Sequence, residues 1–189
     1  MKKYLIILLL LIALPCEARM GAVMMGAGVS AATGCTTGND SELVAIGGNS
    51  SGSFNLYSYY AAQPITVTAG SKVTEIVPYL RNTTAGAVTT TCGIFNRSGG
   101  IPTTQVDGAT GTTDYATNAW AYVPITFAAT VTLPGTDYYV KCHASADVSM
   151  LIGYNNTATG SNACIDTNDV DWSCAQNVTI GIKVNGCAP

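Results

Sequence analysis

Charged residues are scarce in this chain of 189 residues: they make up 10% of it, against about 25% in an average soluble domain. Eight Lys and Arg face eleven Asp and Glu, for a net charge of −3. Such a balance offers no electrostatic surface for a nucleic-acid backbone, so we expect no nucleic-acid partner. The single histidine excludes a metal or catalytic site built from several histidines. The apolar content of 48% argues against intrinsic disorder.

The amino terminus has the three parts of a secretory signal peptide. Two lysines precede an uncharged, mostly aliphatic run at 4–15, and residues 16–18 suit a cleavage after Ala18. The run is shorter than the roughly 20 apolar residues that span a bilayer, so the mature chain is expected to have no transmembrane segment. We therefore expect a protein that is secreted or at the cell surface, with the periplasm as an alternative. Lipidation of Cys16 is less favoured, because Pro15 stands where lipoprotein signals carry Gly or Ala.

Six cysteines follow the signal peptide, and an even set in an exported chain is typical of a disulfide framework. The absence of a CxxC pair disfavours a zinc ribbon or a thioredoxin-type motif. Six cysteines allow 15 pairings, among which the sequence does not decide. The pairing that we favour closes a short acidic loop, joins two predicted strands and ties the two ends of the mature chain: Cys164–Cys174, Cys92–Cys142 and Cys35–Cys187.

From about residue 42 the chain alternates short β-prone segments with turn residues such as Asp107-Gly108. Many short strands without helices predict an all-β protein, an antiparallel β-sandwich or barrel. Pro78 and Pro124 fall inside predicted strands, which should therefore lie at an edge or carry a bulge. The predicted strands are 43–46, 54–62, 65–68, 72–80, 87–95, 120–127, 129–133, 138–144, 148–154 and 177–184.

We expect one folded domain at 42–189, after a signal peptide at 1–18 and a Gly/Ala-rich segment at 19–41. That segment has almost no charge and no aromatic residue, so it packs weakly and loses much entropy on ordering. It is expected to be a flexible leader. The alternative is that residues 19–41 pair with another copy and make a homo-oligomer.

Several motifs resemble exported bacterial jelly-roll modules of the carbohydrate-binding or choice-of-anchor kind. The resemblance covers roughly residues 54–154 and implies a jelly-roll sandwich with a non-catalytic adhesive or ligand-binding role. The six cysteines and the Gly/Ala-rich segment depart from the simple module. The segments that carry the resemblance are 73–80 (VTEIVPYL), 92–95 (CGIF), 99–102 (GGIP), 120–127 (WAYVPITF) and 131–140 (VTLPGTDYYV).

The loop between Cys164 and Cys174 holds the densest group of acidic residues. Carboxylate and amide oxygens on a loop closed by a disulfide are the ligands that Ca²⁺ prefers, so calcium is a candidate cofactor. The spacing matches only part of an EF-hand, and a solvated acidic loop is the alternative. The candidate ligands are Asp166, Asn168, Asp169 and Asp171.

Aromatic side chains could stack on sugar rings, because an aromatic face buries the apolar C–H groups of a pyranose. Trp172 lies in the polar loop and is the first candidate for a contact residue. Tyr57 and Tyr59 are expected to share one strand face with each other. The alternative is that these aromatics fill the sandwich core; the candidates are Trp172, Trp120, Tyr122 and the cluster Tyr57, Tyr59 and Tyr60.

The sequence gives little support for a catalytic function. Cys142 and His143 are adjacent on a predicted strand, so their side chains should point to opposite faces. A glycoside hydrolase needs two nearby carboxyl groups, and nothing brings together two acids such as Glu42 and Glu75. The sequence favours an exported, non-enzymatic protein that binds a glycan or a surface protein. A self-associating structural or adhesive subunit is the alternative, and a small glycoside hydrolase is less favoured.

Overall fold

Two antiparallel β-sheets form the part of the chain that the structure, a computed structural model, describes: residues 35, 40–47, 52–145, 149–156 and 162–189. These residues contain no helix, and the prediction of an all-β antiparallel sandwich is confirmed. The strands are β1 (Ser41–Ile46), β2 (Gly52–Asn55), β3 (Tyr60–Thr66), β4 (Ser71–Asn82), β5 (Val88–Ser98), β6 (Ile101–Tyr115), β7 (Ala121–Tyr122), β8 (Ile125–Leu133), β9 (Asp137–Ala144), β10 (Met150–Asn155), β11 (Asn162–Asp166), β12 (Ser173–Gln176), β13 (Thr179–Ile180) and β14 (Ile182–Cys187).

The chain crosses repeatedly between the two sheets. One sheet has eight strands, with the order β1-β14-β4-β10-β13, β2 beside β10, and β7 and β8 beside β4. The other has six strands in the order β12-β11-β3-β9-β5-β6. Successive strands such as β3, β4 and β5 lie in opposite sheets, as expected for a jelly-roll-like sandwich.

The core lies between the sheets and follows from the period of two along each strand. On β4, Ile76 and Leu80 are fully buried, and they pack in the same cluster as Ile94 of β5 and Val140 of β9. One buried polar side chain joins the sheets: Gln63 Oε1 on β3 accepts a hydrogen bond of 2.7 Å from the N–H of Ile180. The apolar stripes read from the sequence therefore form a common interior.

Three disulfides cross-link the sandwich, and they confirm the cysteine pairing that the sequence analysis favoured. Cys92–Cys142 links β5 to β9 inside the core, where both residues are fully buried. The other two are Cys164–Cys174, which links β11 to β12, and Cys35–Cys187, which joins residues 152 positions apart. Three intramolecular disulfides indicate an oxidising, non-cytoplasmic environment.

The predicted strand at 54–62 is wrong in its middle part. Asn55 ends β2 because its Oδ1 accepts hydrogen bonds from the N–H groups of Tyr57, at 2.9 Å, and Ser58, at 3.3 Å. Such an Asn side chain stabilises a turn instead of a strand. Tyr57 and Tyr59 therefore lie in the connection between β2 and β3, with 54% and 37% of their surface exposed, and they do not share a strand face.

Residues 101–115 were not expected to form a strand, yet they make β6, the edge of the six-stranded sheet. Asp107-Gly108 forms no hairpin turn there. The pairing with β5 jumps from Gly93–Thr110 to Phe95–Gln105, so the extra residues bulge, and Gly108 has the positive φ of 71° that this requires.

Pro78 lies in the middle of β4, which has neighbours on both sides and is therefore not an edge strand. The alternative expectation, a bulge, is met elsewhere on β4, where the register with β8 shifts between Val73 and Glu75. The carbonyl of Pro78 accepts a hydrogen bond from the N–H of Val123 at 2.9 Å. The N and O atoms of one strand residue face the same side, so the missing N–H of Pro78 faces the break between β7 and β8. Pro124 lies in that break.

The signal peptide and most of the segment 19–41 lie outside the described residues. Of that segment, Cys35 is bonded to Cys187, the Asp40 carboxylate accepts a hydrogen bond from the Thr74 hydroxyl, and Ser41 begins β1. Self-association through 19–41 stays a prediction. Within the part of the chain described, no helix is both long and apolar enough to cross a membrane.

Candidate functional site

Residues of β9 point alternately to the core and to the outer face of the six-stranded sheet. Val140 and Cys142 belong to the buried core, so Tyr139, Lys141 and His143 project from the other side. Cys142 and His143 therefore diverge, as predicted, and Cys142 is held in a disulfide. We call the side that carries Lys141 the outer face.

Lys141 lies near the centre of the outer face, between two small residues. Its register partners are Ala62 on β3 and Gly93 on β5, and cross-strand partners point to the same face. A Cβ atom at Gly93 would lie 2.9 Å from the Ala109 carbonyl oxygen and 3.2 Å from Phe95 Cε2. Glycine at position 93 therefore allows the backbone of β6 to approach β5 closely beside Lys141. A space lies on the outer face next to these residues.

This space is a cleft of about 300 Å³, which we call the Lys141 cleft. Its walls come from four strands and from the turn between β11 and β12. Hydroxyl, amide, imidazole and charged groups alternate with aromatic rings along it. The lining residues are Tyr60, Thr91, Gly93, Phe95, Gln105, Thr110, Lys141, His143 and Asp169.

The ammonium group of Lys141 is buried, with 8% of the side chain exposed, and it has three neighbours. Its Nζ lies 2.6 Å from Asp169 Oδ2, 3.8 Å from the centroid of the Phe95 ring and 5.3 Å from that of Tyr60. A buried charge of this kind is costly without a counter-charge. Asp169 supplies it from a side chain that is 39% exposed.

His143 forms the wall next to Lys141. Its ring lies 5.0 Å from the ring of Tyr60, and Thr91 is its register partner on β5. Burial lowers the pKa of His143 below its ordinary 6.5; the Lys141 charge lowers that pKa further, and Asp169 opposes both effects. Near neutral pH the imidazole is therefore uncharged, with one nitrogen to donate and one to accept a hydrogen bond.

The segment between Cys164 and Cys174, predicted to be a loop, forms part of a hairpin of β11 and β12. This hairpin brings Asp169 to Lys141. Cys164 and Cys174 are register partners that the disulfide joins. In the turn, Asn168 Oδ1 accepts hydrogen bonds from the N–H groups of Val170 and Asp171 at 3.2 and 3.3 Å. Asp169 takes the left-handed backbone, with φ of 64°. This turn holds the carboxylate of Asp169 over the cleft.

The predicted calcium ligands do not meet at one point. Among the described residues, Asp166, Asp169 and Asp171 form no cluster of three carboxylates. Asp169 faces Lys141 instead. Asp166 is buried; one carboxylate oxygen accepts a hydrogen bond from the N–H of Asn168 at 3.1 Å, and the other has no hydrogen-bond partner. Calcium binding stays a prediction, and all four ligands could join it only if Asp169 left Lys141.

Trp172 lies on the same outer face, at the end of the turn that leads into β12. Its half-buried ring packs against a small cluster formed by Ala62, Phe95, Tyr139 and Cys164. Phe95 also lines the Lys141 cleft. Trp172, the first candidate for a contact residue, is therefore adjacent to the cleft. Its ring is half-buried because one side of it packs against the sheet.

Beyond this cluster lies a second hollow of about 240 Å³. The Tyr139 hydroxyl donates a hydrogen bond of 2.5 Å to the Gly100 carbonyl, and the Arg97 guanidinium lies 5.8 Å from the centroid of the Tyr139 ring. Burial raises the pKa of Tyr139, and the Arg97 charge opposes that rise. We call this the second hollow; it is lined by Pro64, Thr66, Arg97, Gly100, Tyr139, Asn162 and Cys174.

Trp120 and Tyr122 are separate from this site, because Tyr122 lies on β7 of the eight-stranded sheet and Trp120 directly precedes that strand. Trp120 stacks on Tyr79 of β4, with ring centroids 5.1 Å apart, and Tyr122 lies 5.0 Å from the same ring. The Tyr122 hydroxyl donates a hydrogen bond of 2.6 Å to the Gly47 carbonyl. Burial raises the pKa of Tyr122, and the charge of Lys183, 4.9 Å from its ring, opposes that rise.

Sequence reasoning missed Lys141 and Phe95, whereas it named Tyr60 among the aromatics that could stack on a sugar. A signal for one of them was present: alternation along the predicted strand 138–144 places Lys141 on the same face as His143. Tyr60 and Phe95 lie on other strands, so only the pairing register could bring them to Lys141.

No model of a known protein family matches the chain, and no curated protein sequence matches it. The resemblance to jelly-roll carbohydrate-binding modules therefore stays a prediction.

Proposed function

We propose that this is an exported, non-enzymatic protein that binds a carbohydrate or glycoconjugate on the outer face of the six-stranded sheet. The observation that supports this most is the Lys141–Asp169 pair at the side of a cleft walled by Tyr60 and Phe95. The volume of about 300 Å³ is at the lower end of ligand-binding clefts. A sugar residue of a surface glycan is a ligand of suitable size and polarity.

The ion pair suits the recognition of hydroxyl groups. A sugar hydroxyl both donates and accepts, so one group can accept from the Lys141 ammonium while it or its neighbour donates to Asp169. Hydrogen bonds to charged partners are the stronger ones in proteins. Asp169 is partly exposed while Lys141 is held between rings, so the pair is accessible from the hairpin side.

The aromatic side chains suit the other surface of a sugar. Pyranose C–H groups are apolar, and an aromatic ring buries them without leaving a polar group unpaired. Trp172 is half-buried beside the cleft, and one side of its ring packs against the cluster that contains Phe95 and Tyr139. Export to the outside of the cell is part of the proposal; it is supported by the three disulfides, which indicate an oxidising compartment, and by the abundance of glycans there.

A glycan array with the oxidised full mature chain tests the proposal, with Trp172→Ala as the variant and Trp120→Ala as the matched control on the opposite sheet. Loss of one stacking ring should cost about 1–2 kcal/mol, which is roughly a 5- to 30-fold loss of affinity. We expect Trp172→Ala to lose this affinity for the bound glycan and Trp120→Ala to retain it.

Two results would contradict the proposal. If the wild-type protein binds no glycan on a broad array, the function is wrong. If Trp120→Ala loses binding and Trp172→Ala keeps it, the site is on the other sheet. Circular dichroism of each variant must show the wild-type fold before its binding is compared.

A further inference from the structure

The second hollow is lined by Arg97, a cationic side chain that takes no part in the ion pairs of the described residues. Those pairs are Lys141–Asp169 and Lys183–Glu42, and neither includes Arg97. The exposed guanidinium lies over the Tyr139 ring at 5.8 Å, and that ring is fixed because its hydroxyl donates to the Gly100 carbonyl. Arg97 is therefore positioned by an aromatic support and has its donors available.

The nearest acid by register does not neutralise this cation directly. Asn96 pairs with Tyr138, so Asp137 is one step further along β9, opposite Arg97. Its two carboxylate oxygens accept hydrogen bonds from the hydroxyls of Thr66 and Thr136, both at 3.1 Å. The hollow thus combines a guanidinium with the polar side chains of Thr66 and Asn162.

The second hollow and the Lys141 cleft lie in line along the strands. Lys141 and Gly93 are register partners, Tyr139 and Phe95 form the next row on this face, and Arg97 follows one row later. At about 3.4 Å per residue, the distance from the first row to the third is roughly 13 Å. Trp172 packs against the middle row. This length exceeds one pyranose ring and suits a short chain of sugars.

We propose that the outer face binds an acidic oligosaccharide, with a neutral sugar in the Lys141 cleft, a ring against Trp172 and a carboxylate or sulfate group on Arg97. This rests on the proposed function and names its ligand class. A guanidinium presents paired N–H donors that match the two oxygens of such a group. The acid end is assigned to Arg97 because Lys141 already has a carboxylate partner in Asp169.

The test measures affinity by calorimetry for pairs of oligosaccharides of equal length, one member carrying a uronate, sialate or sulfate group and the other its neutral or esterified counterpart. We expect the wild-type protein to bind an acidic member at least tenfold more tightly. Arg97→Gln should reduce that affinity to the level of the neutral member and leave the neutral affinity unchanged. Arg81→Gln is the matched control, because Arg81 donates to Asn118 from a strand of the other sheet.

The outcomes separate this inference from the proposed function. If no oligosaccharide binds, the proposed function fails and the inference fails with it. If neutral and acidic members bind equally, or if Arg97→Gln keeps the preference, the inference alone is overturned. If Arg81→Gln removes the preference as strongly, the charge effect is general and not local to Arg97, which also overturns it. Preference through Arg97 should weaken as salt is raised, because the group is exposed.

Discussion

Lys141→Met should weaken glycan binding while the fold stays intact. In the proposed complex the ammonium donates a hydrogen bond to a sugar hydroxyl. Hydrogen bonds to charged groups contribute about 1.5–3 kcal/mol, so the substitution should reduce affinity roughly 10- to 150-fold. Methionine has nearly the same length and reaches the same rings, so the change removes the charge and its donors rather than the packing.

The stability of the Lys141→Met variant should change by at most about 1 kcal/mol. Breaking a fully buried ion pair costs about 3–5 kcal/mol because a bare charge stays buried, but Asp169 is 39% exposed and can hydrate. The contact of the ammonium with Phe95, worth about 0.5–2 kcal/mol, is replaced by a sulfur–aromatic contact of about 0.3–1.5 kcal/mol. The expected shift in Tm is therefore within about 4 °C.

Calorimetric titration gives the affinity, and a thermal melt gives the stability. The control is Lys183→Met: Lys183 also pairs with a carboxylate, Glu42 at 2.8 Å, and also lies over a ring, Tyr122 at 4.9 Å, but on the other sheet. Unchanged binding by Lys141→Met would refute the reasoning. An equal loss in Lys183→Met would refute it as well, because the effect would then not belong to the cleft.

Two further predictions concern stability. Replacing Cys92 and Cys142 by Ala opens a loop of 50 residues and should lower the free energy of unfolding by about 4 kcal/mol, before any loss of packing; a loss below about 1 kcal/mol in urea unfolding would show that this disulfide does not constrain the unfolded chain. The pKa of His143 is lower in the folded protein than its ordinary 6.5, so the unfolded chain binds the proton more tightly. Its contribution to the free energy of unfolding is complete above about pH 6.5 and is lost as the pH falls through the lower folded-state pKa. His143→Gln should flatten the decline of stability that sets in as the pH falls below about 6.5, and an identical profile in both proteins would contradict the shift.

The alternation of apolar and polar residues along the chain was the most useful signal for predicting strands and their two faces. The segment 138–144 alternates between residues of the core and residues of the outer face, and it forms β9 as predicted. Cys92 and Cys142 fall on predicted strands that do pair. Tyr57 and Tyr59 show the limit: both fit an alternating pattern, but the side chain of Asn55 competes for the backbone N–H groups and ends the strand.

The site itself depends on contacts that no local pattern encodes. β6 is rich in Thr and Gly, and a strand of that composition is recognised only through its pairing with β5. Asp169 reaches Lys141 across 28 positions because β11 pairs with β3 and the turn after β11 comes over the outer face of the sheet. The acidic residues of that turn predicted a metal site, whereas in the structure one of them, Asp169, forms an ion pair with the buried ammonium of Lys141.

The most direct test of the proposed glycan site is an NMR titration of isotope-labelled protein with the oligosaccharide that it binds best. We expect the largest shifts to cluster on the Trp172 indole, the Lys141 and His143 amides and the turn at Asp169. We expect little change at Trp120 and Tyr122. Shifts concentrated on those two residues, with the outer face of the six-stranded sheet unmoved, would contradict the proposed site.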